Sequence, residues 1–239
     1  MKLLAIDTAT EACSVALHVD GRLITREREF EREHADHILP MVDEVLAEAG
    51  LELRNLDALA VGRGPGGFTG VRLAISVAQG LAFGAGLRVV PVSDLRAVAQ
   101  RALDLVPGVA RVLACNDARM QEVYWALFQR DDHGLAQAAG PERVSPPSKL
   151  VLPADWHHEG ASLCAVGRGL RAHPQIRDQL PTQAVVLDQL LPRAAEIARL
   201  ALPEVEAGRS VPAEEAMPVY LRDNVAHPQR AQDTEPSRK

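Results

Sequence analysis

The apolar positions of the chain recur with two different periods, and the switches between them mark out the elements. Residues 2–7, KLLAID, are a short apolar run that breaks into a polar DTAT, which predicts a buried strand delivering Asp7, Thr8 and Thr10 at its end. A carboxylate followed by hydroxyls in such a turn has the shape of a phosphate-facing loop, and Asx turns of the same composition explain it equally well. Residues 13–19 and 23–30 predict two further strands joined by Asp20-Gly21, a strong two-residue hairpin signal. Over residues 34–49 the period changes to that of a helix, with Ile38, Met41, Val42, Val45, Leu46 and Ala49 on one side and Gly50 as the stop. Pro40 is placed in the first turns of that helix.

The next stretch, from Ala58 to Gly86, organises the rest. It predicts a strand over 59–61, a turn holding Gly62, Gly64, Pro65, Gly66 and Gly67, and a helix opening near Thr69. Two readings of that turn stay open: a tight connection packed under its own domain, or a loop presenting backbone N–H groups to an anion at a helix N-terminus. Neither a GxxxxGK[ST] phosphate loop nor a dinucleotide GxGxxG is present. In the helix, Gly70, Ala74, Ala78 and Ala82 fall four residues apart, and Gly80 and Gly84 form a second small pair. Such a row lets another helix approach closely. Val71, Ile75, Val77 and Leu81 add bulk, and Arg72, Ser76 and Gln79 are the polar positions, so the expectation is a helix buried on nearly every side that also meets a partner.

A strand over 87–92 and a helix over 95–103, capped by Ser93 and Asp94, complete the order βββαβαβα. From Val109 the pattern partly repeats, with strands over 109–115 and 122–129 and a turn at Asp117, Ala118 and Arg119 where a salt bridge or backbone cap is expected. The stretch containing Pro141, Pro146, Pro147 and Pro153 is read as irregular. Strands over 162–166 and 184–187 and a helix over 192–202 follow, giving a second half that looks smaller and simpler. Residues 227–239, HPQRAQDTEPSRK, lack apolar content and are expected to be disordered. The domain reading is therefore 1–105, a smaller 106–226, and a tail.

Composition narrows the function classes. With 239 residues and 47% of them hydrophobic, a sizeable core is expected, and at 3% aromatic residues it must be built from Leu, Val, Ile and Ala. Cys13, Cys115 and Cys164 lie far apart without a CxxC pair, which argues against a disulfide framework or a zinc site and for a reducing compartment. The apolar start is too short for a signal peptide and no run approaches ~18 apolar residues, so the expectation is a cytoplasmic protein with no membrane role. A net charge of -6 disfavours broad nucleic-acid binding, so any RNA role is expected to be indirect.

Candidate chemistry is sparse. His34 and His37 flank Asp36 but lack a third and fourth ligand, and the adjacent His157 and His158 point apart; both pairs read as surface groups. Ser14, Ser76 and Ser93 have no GxSxG context and no cysteine has a nearby histidine, so nucleophilic catalysis has no support.

The segments LLAIDTAT, HADHILPMVDEVLAEAGL, AVGRGPGGFTGVRLAISVAQGLA, NDARMQEVYWALF and PVYLR resemble the TsaB (YeaZ) family, partner proteins of bacterial threonylcarbamoyladenosine tRNA modification and paralogues of the transferase TsaD. The resemblance covers most of residues 1–130 and the segment near Tyr220. It implies the α/β fold of actin-like ATPases, shared with sugar kinases and heat-shock ATPases, in two related subdomains. In TsaD-like enzymes an HHxxxH-type segment binds iron or zinc. Here that place reads PVSDLRAVA, with Asp94 and Val98 where the ligands would be, and valine cannot coordinate a metal. No metal or cofactor is therefore expected. NDARM replaces a glycine-rich second phosphate loop, leaving Asp7, Thr8, Gly64, Gly66, Gly67, Gly167 and Gly169 as a vestigial nucleotide loop.

The resemblance implies a catalytically inactive subunit that scaffolds TsaD together with the ATPase TsaE, contacts tRNA only indirectly and forms a homodimer when free. The implied interface is a four-helix contact through Ile38, Met41, Val42 and Val45 and through Gly70, Ala74, Ala78 and Leu81. The alternative is an active ATPase or small-molecule kinase of the same fold, and a metalloprotease fails on its absent ligands.

Overall fold

Two mixed β-sheets that share a five-strand plan, the second with one strand added, face each other across a pair of helices. The computed structural model describes residues 1–157 and 162–222, so the tail at 227–239 and His158 lie outside the described residues.

The first sheet has the order β3-β2-β1-β4-β5. Its strands are β1 (Lys2–Asp7), β2 (Ala12–Val19), β3 (Arg22–Glu29), β4 (Ala58–Gly62) and β5 (Val89–Val92). β1 runs antiparallel to β2 and parallel to β4, as β4 does to β5. β1 sits in the middle with both faces covered, which is why its sequence is apolar without alternation. The hairpin after β2 turns through Asp20 (φ 48) and Gly21 (φ 91), both left-handed, as the dipeptide predicts.

The second sheet repeats this plan in the order β11-β10-β6-β7-β8. Its strands are β6 (Arg111–Asp117), β7 (Val123–Arg130), β8 (Ala136–Ala138), β9 (Arg143–Ser145), β10 (Leu163–Val166) and β11 (Val185–Leu187). β6 is again antiparallel to one neighbour, β7, and parallel to the other, β10. Two expectations need correction. The second sheet has 6 strands against 5, so it is not the simpler one. The proline-rich stretch is also not wholly irregular, since β9 pairs with β7 through Val123↔Ser145 and Tyr124↔Val144.

Helices α1 (His34–Ala49) and α2 (Phe68–Ala85) cover the outer face of the first sheet, and each ends on a left-handed glycine, Gly50 (φ 65) and Gly86 (φ 67). Pro40 lies inside α1, in its second turn, and does not break it, as expected. Helices α3 (Asp94–Leu105) and α5 (Ala194–Glu206) lie between the sheets and are exchanged; a single short turn, α4 (Gly169–Ala172), accompanies the second sheet. α3 follows the first sheet in sequence yet packs Leu95, Val98, Ala99 and Ala102 on Val112, Ala114 and Phe128 of the second. α5 follows the second sheet yet packs Ile197, Ala198 and Ala201 on Leu3, Ala5, Ala58 and Ala60 of the first. Each sheet's inner face is thus closed by the other half of the sequence.

Candidate functional site

Two surfaces collect the residues singled out by the sequence: a cleft between the sheets, and the outer side of α1 and α2. The cleft, of about 960 Å³, is lined by the loop after β1, the start of α2, the turn after β6 and the segment Val219–Arg222.

The loop after β1 and the turn before α2 are locked into each other by backbone. Gly67 N–H donates to Ala9 O at 2.7 Å and Thr8 Oγ1 donates to Gly70 O at 2.7 Å. A Cβ on Gly66 would lie 2.5 Å from Ala9 O, and one on Gly70 would strike Thr8 O. Gly64 (φ 91) faces Val219 O. Gly66 and Gly70 are therefore glycine because their own chain passes there, and of the two readings of this turn the packed connection accounts for them. On the second sheet Gly167 (φ 109) and Gly169 are pressed on Cys115 O in the same manner.

Asp7 and Asp94 are fully buried beside this loop. Asp7 accepts from Ala9 N–H at 2.9 Å, and Asp94 accepts from Gly64 N–H. Burial pushes Asp7 up to about 6. Burial, and then the negative charge and hydrogen bond of Asp7, raise Asp94 well above the usual carboxylate range. Asp94 was legible in sequence as a residue of the helix cap, and Ser93 does cap α3, accepting from Arg96 N–H. Its pairing with Asp7 had no sequence signal.

The far wall of the cleft is the turn after β6. Arg119 (φ 59), Met120 (φ 53) and Gln121 (φ 61) are three successive non-glycine residues in the left-handed region. The expected salt bridge is present, Arg119 to Asp117 at 3.2 Å. Arg222 holds the turn from outside through Ala118 O at 3.2 Å and Glu122 at 2.5 Å. Upstream of it, Val219 N–H donates to Arg63 O at 2.9 Å and Arg72 donates to the Tyr220 hydroxyl at 2.7 Å. The PVYLR segment thus straps the mouth of the cleft, joining α2 to the second sheet.

The helix pair corrects the expected interface. Ile38, Met41, Val42, Val45, Ala74 and Ala78 are buried in the chain's own core under the first sheet, so that row of small residues seats the helix on its sheet and is closed to a visitor. Gly70 is held against Thr8, and Leu81 is half-buried. α2 is long and apolar enough to cross a membrane by length and composition, but only one of its faces is buried. Ser76, Gly80 and Gly84, again four residues apart, are exposed, and nothing lies within 4 Å of a Cβ built on either glycine. Beside them Phe83 is 84% exposed, and Leu39 on α1 is 47% exposed. The open stripe is the second small pair.

The remaining candidates are structural. His34 bonds Thr10 O at 2.9 Å and His37 stacks on Phe30 at 4.1 Å between ring centroids. The three cysteines are buried and unpaired. Among the described residues no group of three His, Cys, Asp or Glu side chains could hold a metal.

Comparison with known proteins gives a consistent result. Residues 28–229 match the family model TsaD, tRNA N6-adenosine threonylcarbamoyltransferase. The chain is 44% identical over 226 residues to the Escherichia coli tRNA threonylcarbamoyladenosine biosynthesis protein TsaB, covering 95% of this chain and 96% of that one. It is 40% identical to the Haemophilus influenzae protein of the same description, covering 94% and 95%. Among solved structures, YeaZ from Pseudomonas aeruginosa superposes with a TM-score of 0.83 at 45% identity over 92% of this chain and 99% of that one. A second Pseudomonas aeruginosa structure, described as similar to peptidase YeaZ, gives 0.86 at 45% identity over the same 92% and 99%.

Proposed function

Because the chain belongs to the TsaB (YeaZ) family, with its actin-like α/β fold, and so serves tRNA threonylcarbamoyladenosine biosynthesis, we propose that it does so as a non-catalytic subunit of a TsaD-type transferase. Its role is to hold that transferase in an active arrangement, with a TsaE-like ATPase, in the cytoplasm. Contact with tRNA is indirect, in keeping with the net charge of -6. Residues 1–105 and 106–226 are read as its two subdomains.

The observation that carries this reading is the outer face of α2, where the exposed Ser76, Gly80 and Gly84 leave a shallow groove beside the exposed Phe83. A facing helix can settle on such a groove at the short end of the ~8–10 Å interaxial range. The groove replaces the buried stripe as the proposed contact for the transferase, and for a second copy when the protein is free. The inactive reading is supported by Val98, which is apolar and buried, and by Asp94, which is committed to Gly64 and Asp7. The packing of Gly66 and Gly70 on their own chain likewise weakens the ATPase or kinase alternative. Titration of the isolated protein with ATP separates the two, since tight binding with turnover supports the alternative.

The interface is tested by placing an arginine on each side of α2. Gly80→Arg should melt no lower than the wild type but lose both self-association and binding of the TsaD-type partner by size exclusion, because it buries an unpaired charge at the contact. Ala78→Arg should fail to fold. A folded Gly80→Arg protein that binds its partner normally refutes the placement.

A further inference from the structure

Asp7, at the end of β1, and Asp94, at the start of α3, are carboxyl groups with no access to solvent. Each uses one oxygen to hold a loop, Asp7 Oδ1 at Ala9 N–H and Asp94 Oδ2 at Gly64 N–H. The second oxygens, Asp7 Oδ2 and Asp94 Oδ1, have no donor among the described residues. The two acids meet beside Gly62, where a Cβ would lie 2.5 Å from Asp94 Oδ1 and 2.6 Å from Asp7 Oδ1. Two ionised carboxylates facing each other are acceptors only, and burying both charges is far more costly than keeping a proton. One proton turns one acid into a donor and satisfies the other.

The groups acting on the pair offer no other relief. Arg63, on the turn after β4, is the cation near Asp94, and its guanidinium is engaged by Glu142 at 3.0 Å. Cys13 on β2 is the titratable neighbour of Asp7, and burial followed by the Asp7 charge pushes its thiol up to about 12, so it stays neutral.

We propose that Asp7 and Asp94 hold one proton between them in the neutral range, and that this proton fastens the loop after β1 to the turn before α2, making the floor of the cleft sensitive to pH. The unfolded chain releases both protons near pH ~4. The folded chain keeps the first until about pH 6, where Asp7 is placed, and the second until higher pH on Asp94. The folded state therefore binds more protons, and stability is fully present below pH ~4 and falls as pH rises through each folded value. Above pH ~6, with one proton still at issue, the folding constant should drop by up to about tenfold per pH unit.

Urea unfolding of the full chain at pH 6, 7 and 8 tests this with Asp94→Asn, whose amide donates to Asp7 permanently and still accepts from Gly64 N–H. The variant should lose most of the slope, so that its folding constant gains on the wild type by up to about 100-fold between pH 6 and pH 8. Asp7→Asn should flatten the profile in the same way and serves if the first variant does not fold. Infrared spectra of the wild type at pH 7.5 should show the C=O stretch of a protonated carboxylic acid, absent from Asp94→Asn. Parallel pH profiles for a folded variant and the wild type, or a wild-type spectrum without that band, overturn the proposal.

Discussion

Gly70 and Gly80 lie on the same helix and are glycine for opposite reasons. At Gly70 a side chain would strike the carbonyl of Thr8, and at Gly80 it would meet nothing. Gly70→Ala should therefore destabilise the protein by about 1–3 kcal/mol, as overpacking against backbone does. Gly80→Ala should stabilise it by about 0.5–1 kcal/mol by relieving the helix of glycine's backbone entropy. Urea unfolding reads both, and a reversed sign at either position contradicts the packing described. The sequence shows both residues as members of four-residue rows, and spacing alone does not say which row faces the sheet. That depends on what covers the helix, which is a tertiary fact. The same limit hid the contact of Asp7 with Asp94, two acids that follow separate strands and meet only when β1, β4 and α3 assemble.

Elements with a strong period and a local stop were legible. The helix over 34–49, the Asp20-Gly21 hairpin and the capped helix after β5 all stand where the pattern puts them. β8 (AQA) and β9 (RVS) were missed because each is short and carries polar residues, unlike the equally short but wholly apolar β11 (VVL), and they gain their hydrogen bonds from β7. The cap at Ser93 gives an element-level prediction. Its hydroxyl, nearly buried, accepts from Arg96 N–H at 3.2 Å. Ser93→Ala should cost about 1 kcal/mol in chemical denaturation, and Ser93→Thr or Ser93→Asp should recover most of it. An alanine variant of unchanged stability would mean that the cap is replaced by water.

At the scale of the whole molecule, the repeated strand order could be partly seen in the sequence, but the exchange of α3 and α5 could not, because an amphipathic helix does not reveal which sheet it serves. The exchange makes the two halves interdependent. A fragment ending after residue 105 would leave Leu3, Ala5, Ala58 and Ala60 without the helix that buries them. It should show no cooperative melting by circular dichroism alone and recover it when co-expressed with residues 106–222; cooperative melting of the lone fragment contradicts this. A living cell meets the same problem during synthesis. About 100 residues separate the end of α3 from the end of α5, so at roughly 5–20 residues per second the first sheet waits about 5–20 s on the ribosome with one face bare. Of the side chains that the first sheet brings to that face, Ala5, Ala16, Ala58 and Ala60 are nearly the smallest apolar groups available, and Leu3, Val90 and Val92 are the larger ones. A nascent chain built this way presents little grease to its neighbours while it waits.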